Sequence, residues 1–144
     1  MSDWTEKIPS KEITEKITKA TVEFANRFGN HLGTDDTKID TNGKTCTTRE
    51  KLTTNQLRKF FGEVKRQQLQ GYNETDFVLL KPKLAYAVGR SKGKNPKIKD
   101  FYMVMSDAID KVNNPEQFIN FIKIFEAIVA YHKATEEKKI SDNY

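Results

Sequence analysis

The chain has 144 residues, 36% of them hydrophobic, enough for one domain with a modest core and too few for two full ones. Its 25 Lys and Arg against 20 Asp and Glu leave a net charge of +5, and a single cysteine, Cys46, excludes an internal disulfide and a Cys-rich zinc site. No apolar run is long enough to span a bilayer, and MSDWTEKIPSKE has no signal-peptide core, so no membrane contact and a cytoplasmic location are expected.

Residues 1–9 read as a flexible tail, with Trp4 either pinned against the body or reserved for a partner or a base. Ser10 is a helix cap, and Ile13, Ile17, Ala20, Val22, Phe24 and Phe28 predict an amphipathic helix over 10–30, ending near Gly29 or Gly33. From 33 to 51 the chain is rich in Thr, Asp and Gly without a sustained period, which predicts a long polar loop that orders against RNA or a neighbouring subunit. Asn42-Gly43 is a turn signal there and leaves a small hairpin open. Asp35, Asp36 and Asp40 lack the ligand spacing of a calcium loop.

The stretch from 52 to 90 organises the rest. Thr53 and Gln56 form a capping box, with Leu52 and Leu57 as the hydrophobic staple. Leu57, Phe60, Phe61, Val64 and Gln68 then recur at helical spacing over 53–70, while Arg58, Lys59, Lys65 and Arg66 fall on the outer side. Gly62 lies four residues after Arg58, where a missing side chain lets a phosphate approach the helix, or is merely tolerated. A helix over 75–91 carries Phe77, Leu79, Leu80, Leu84, Tyr86 and Val88, with Lys81, Lys83 and Arg90 between them. Pro82 predicts a kink or a fresh helix, either of which holds Lys81 and Lys83 near a helix terminus.

The lysines of SKGKNPKIK, 91–99, read as a flexible basic connector that binds phosphate without choosing sequence. A helix over 97–112 follows, with Ile98, Phe101, Met105, Ala108, Ile109 and Val112 on one side and both Met103 and Met105 as core filler. Asn114, Pro115 and Gln117 supply a cap, a proline at the first helical position and a reciprocal glutamine, opening a helix over 114–137. Its wide apolar arc, from Phe118 to His132, marks it as the central core helix or one that also meets another subunit. Residues 138–144 are expected to fray. The whole is an all-α fold, a single compact bundle of about five helices with a long polar loop after the first.

Charge is distributed unevenly. Residues 51–100 hold 12 basic and 4 acidic side chains, while the segments on either side are slightly acidic. Such a patch attracts a polyanion by counterion release, and nucleic acid is the leading partner class. The alternatives are a solvated basic surface, or the face of a protein-protein adaptor that binds an acidic partner.

The segments LTTNQLRKFFGEVKR, LLKPKLAYAVGR and NFIKIFEAIVAYHK closely resemble the small subunit of type III-A CRISPR effector complexes, the Csm complex, in the same order from about Leu52 to Lys133. Residues 1–51 carry no recognisable part of the match. The resemblance implies a small, all-helical, non-catalytic subunit of antiviral defence, present in more than one copy, lying along the guide-RNA filament beside the repeat-containing backbone subunit and other Csm subunits and contacting crRNA and target RNA through basic residues. On that reading Arg58, Lys59, Lys65, Arg66, Lys81, Lys83 and Arg90 hold the RNA backbone, Arg90 being the best single candidate.

Catalysis finds no foothold in the sequence. His31 and His132 are isolated, no hydrolase or metalloprotease motif occurs, and no cofactor or metal is expected. His132 reads as a structural histidine, and Glu126 as a buried or half-buried partner for a cation on a neighbouring helix. Tyr72, Tyr86, Phe61 and Tyr102 are weighed as base-stacking groups against the commoner fate of aromatics at core spacing.

Overall fold

The helix expected over 10–30 is two helices, α1 (Ser10–Thr14) and α2 (Lys19–Leu32). The break is made by Thr18, whose backbone N–H donates to Thr21 Oγ1 at 3.0 Å while its hydroxyl donates to Glu12 Oε1 at 3.1 Å. The structure, a computed structural model, describes residues 4–91 and 96–142, with side chains as far as residue 137. Lys92 and Lys94 of the basic connector lie outside the described residues.

The expected polar loop contains an antiparallel hairpin, β1 (Asp36–Ile39) and β2 (Thr45–Arg49), in which Lys38 faces Cys46 and Ile39 faces Thr45. Its turn is built by Asp40, whose Oδ1 accepts from Asn42 N and Lys44 N, both at 2.9 Å, and by Gly43 at φ +80°. Beyond it run α3 (Thr54–Gln70), α4 (Glu74–Val78), α5 (Leu80–Arg90), α6 (Ile98–Asp110) and α7 (Pro115–Asp142). Two short helices therefore replace the one expected over 75–91. Asn73 caps α4, accepting from Asp76 N at 3.0 Å, and the chain restarts at Leu80. Pro82 falls in the first turn of α5, where a missing amide donor leaves no bond unmade.

α7 is the spine, packing against α2, α1 and α3, while α5 lies on α6. It continues as helix to Asp142, through most of the segment expected to fray. At Gly29, inside α2 rather than at its end, a Cβ would stand 2.7 Å from Tyr131 Cβ and 2.9 Å from Ile128 O, so glycine permits the close approach of α2 to α7. Phe60, Phe101 and Phe125 join three helices with ring centroids 5.4–5.7 Å apart. The expected tail is packed from Trp4 onward: its ring lies 5.1 Å from Phe28, and Ile8 is buried.

Several faces differ from those read in the periodicity. Val22 and Ala20 are exposed, as is Met103, whereas Met105 is buried. On α3 the stripe closes with Gln67, not Gln68, because the Gln67 amide donates to Asp76 O at 3.1 Å and so can be buried at the α3–α4 turn.

The hairpin is fastened to the helices by a buried ionic cluster. Asp100, at the start of α6, accepts from His31 Nε2 at 2.6 Å and lies 2.9 Å from Arg49 Nη1. Burial alone would raise the Asp100 pKa, but the bonds from His31 and Arg49 outweigh it and hold the carboxyl below its ordinary value. Lys97, expected at the end of a flexible basic connector and the start of the next helix, is 1% exposed. Its ammonium donates to His31 O at 2.8 Å and Thr34 O at 2.6 Å and pairs with Asp36 at 2.8 Å.

Candidate nucleic-acid interface

The start of α3 is set as its sequence implies: Gln56 N donates to Thr53 Oγ1 at 3.2 Å, and Thr53 N to Gln56 Oε1 at 2.9 Å. From that cap, about 100° per residue brings Leu57, Phe60, Val64 and Gln67 onto the core and Gly62 onto the outward line. The residues three and four positions away from Gly62 on either side are Arg58, Lys59, Lys65 and Arg66. A Cβ at Gly62 would meet nothing within 4 Å. Four cations thus frame a bare stretch of helix backbone.

The seven predicted cations fall into three directions. Lys59 and Arg66, seven residues apart, share one flank of α3, and Lys59, Lys83 and Arg90 line a groove of about 570 Å³ between α3 and α5. Arg58 and Lys65 occupy the opposite flank of α3, and Lys65 bonds Glu126 of α7 at 2.8 Å. That pair is a surface one, its side chains 42% and 44% exposed, rather than the half-buried pair expected of Glu126. Lys81 departs from the rest, reaching Asp110 of α6 at 2.7 Å.

Carboxylates already answer part of the charge. Glu63 pairs with Arg66 at 2.6 Å and with Lys83 at 3.1 Å. The bond from Arg66, with help from Lys83 and Gln67 and against the burial that would raise it, lowers the Glu63 pKa to about 2. Among the described residues no carboxylate lies within ion-pair distance of Arg58, Lys59 or Arg90. The Arg90 guanidinium instead sits 5.7 Å from the centre of the Tyr86 ring.

The aromatic candidates separate cleanly. Tyr72 packs on Phe77 and Phe118, Phe61 packs on Phe125, and Tyr102 is partly buried against the core. Tyr86 is 68% exposed and lines the groove. Its neighbours Lys83 and Arg90, three residues before and four after, were the available signal, since a core-facing tyrosine would carry both cations inward with it.

Each histidine has a structural partner. His132 is buried and donates from Nε2 to Leu52 O at 2.7 Å, tying α7 to the entry of α3. His31 is held by Asp100. Among the described residues no group of three or more His, Cys, Asp or Glu is arranged to hold a metal ion, and no helix is long and apolar enough to cross a membrane.

The family model described as Csm2 Type III-A matches residues 36–138. The chain belongs to this family. It is a small subunit of type III-A CRISPR complexes, and it works among the other subunits of the Csm complex. No curated protein and no solved structure matches it. The Csm2 region begins earlier than the motifs at Leu52, taking in the hairpin from Asp36 and with it Arg49, which bonds Asp100, and the carboxylate that receives Lys97. Of residues 1–51, which carry no recognisable part of the motif resemblance, 36–51 therefore fall within the match and 1–35 do not.

Proposed function

We propose that this Csm2 subunit is a non-catalytic RNA-binding part of its complex, holding the sugar-phosphate backbone of crRNA or target RNA on the outer face of α3 and the adjoining edge of α5. The observation that carries this reading is the ring of Arg58, Lys59, Lys65 and Arg66 around the open backbone at Gly62. Lysine and arginine on a convex helix grip phosphates but read no base edges, so the contacts are indifferent to sequence and the guide supplies recognition. Lys83 and Arg90 extend the same surface. Lys81 is its weakest member because Asp110 draws it toward α6.

The test is binding of single-stranded RNAs of unrelated sequence across a salt series. Affinity should be similar for all of them and should fall steeply with salt. Charge reversal at Arg58 and Arg66 should weaken binding while the helical fold and co-purification with the backbone subunit survive. Loss of assembly with RNA binding intact would favour an adaptor whose basic face meets an acidic partner.

A further inference from the structure

The groove between α3 and α5 has a composition that backbone binding alone does not require. Its rim is cationic, with Lys59, Lys83 and Arg90, but its floor is apolar, formed by Phe60, Leu84 and Ala87. Tyr86 stands at the edge, exposed over about two thirds of its surface, with the Arg90 guanidinium against its ring. A phosphate alone would gain nothing from the floor. The one carboxylate in the lining, Glu63, is already engaged by Arg66 and Lys83 and leaves the rim positive. An aromatic face beside a guanidinium, above an apolar floor and within a cationic rim, complements a nucleotide: a flat heterocycle joined to an anion. The volume of about 570 Å³ lies within the range of small-ligand sites.

We infer that the α3–α5 groove is a nucleotide subsite that receives one unstacked base of the bound RNA against Tyr86 while Lys59, Lys83 and Arg90 hold the flanking phosphates. This rests on the RNA-binding reading and adds a base contact to it. The contact is by stacking and shape, so it does not choose among sequences strongly. It makes the subunit sensitive to whether a base is present and free of its stack.

Two measurements on the full chain test it. In the first, amide resonances are followed by NMR during titration with AMP and, separately, with ribose 5-phosphate. AMP should shift Tyr86, Ala87 and Lys59, and ribose 5-phosphate should leave Ala87 unmoved. Equal shifts from both, or none from either, would overturn the subsite, the latter leaving the groove to a side chain from a neighbouring subunit. In the second, a single-stranded RNA is compared with an abasic strand of the same length and charge. The abasic strand and the Tyr86→Ala variant should each bind at least about fivefold more weakly, with the salt slope unchanged, and Tyr86→Phe should restore binding. Abasic RNA bound as tightly as the normal strand would sink the base contact and leave the backbone reading standing. Base-dependent AMP shifts without RNA binding would do the reverse.

Discussion

Lys97 Nζ lies 2.8 Å from Asp36 Oδ1, joining the start of α6 to the first strand of the hairpin beneath a surface that leaves the lysine 1% exposed. A buried ammonium is tolerated only when its donors are matched, and here two carbonyls and one carboxylate meet it. Replacing it by Lys97→Met should lower stability by about 3 kcal/mol, since Asp36 and the carbonyls of His31 and Thr34 lose their partner. Urea denaturation checks this. The exposed neighbour Lys99→Ala should change stability by less than about 0.5 kcal/mol.

Two glycines should respond to alanine with opposite signs. At Gly29 the new methyl meets Tyr131 Cβ and the backbone of α7, so Gly29→Ala should destabilise by about 1–3 kcal/mol. At Gly62 it enters open space in a helix interior, so Gly62→Ala should stabilise by up to about 1 kcal/mol. Under the proposed function Gly62→Ala should also weaken RNA binding, because the methyl holds the phosphate off the helix. Thermal melts and RNA titrations on the same two variants separate packing from binding.

Acid should loosen the α3–α5 edge in a defined window. Glu63 is lowered from 4.5 to about 2, so its ion pairs stabilise the fold fully at neutral pH, and that stability drains away as pH falls from about 4.5 to about 2. Asp100, also lowered, adds loss in the same direction. Glu63→Gln should flatten part of the stability-pH curve in this window and leave the Asp100 part in place. Denaturant midpoints collected through the acid range provide the measurement.

Salt sensitivity should map the RNA face. Removing one phosphate contact from a single strand lowers the slope of log affinity against log salt by about 0.7. Lys59→Ala and Arg90→Ala should each show that change, since neither cation has a carboxylate partner among the described residues. Lys81→Ala should show little, its charge being held by Asp110.

Local signals were readable in the chain where one segment determines its own structure. The capping boxes are of this kind: Gln117 N donates to Asn114 Oδ1 at 2.9 Å, although Gln117 reaches back to Asn113 rather than to Asn114. So are the apolar faces of α3 and α6 and the structural role of His132. Interactions that depend on a distant segment were not readable. Nothing around Lys97 separates it from Lys99, yet one is sealed beneath the hairpin and the other is exposed. The cations of the candidate site can be named from the sequence, but their division by Glu63, Glu126 and Asp110 required the helices to be placed side by side. The buried Gln67 is a further case, decided by the α3–α4 turn that covers it.

The helix that completes the core is made after every element it packs against. Gly29 is fitted to Tyr131, the amide of Asn120 donates to Ile13 O at 2.9 Å, and the Leu52 carbonyl waits for His132. Until α7 emerges, the faces of α2 and α3 that it covers stay open, so the nascent subunit is unfinished, and exposed to aggregation and proteolysis, up to that point. Closure then joins distant parts of the chain in one late step, which should make folding slower than is usual for a helical protein of this size.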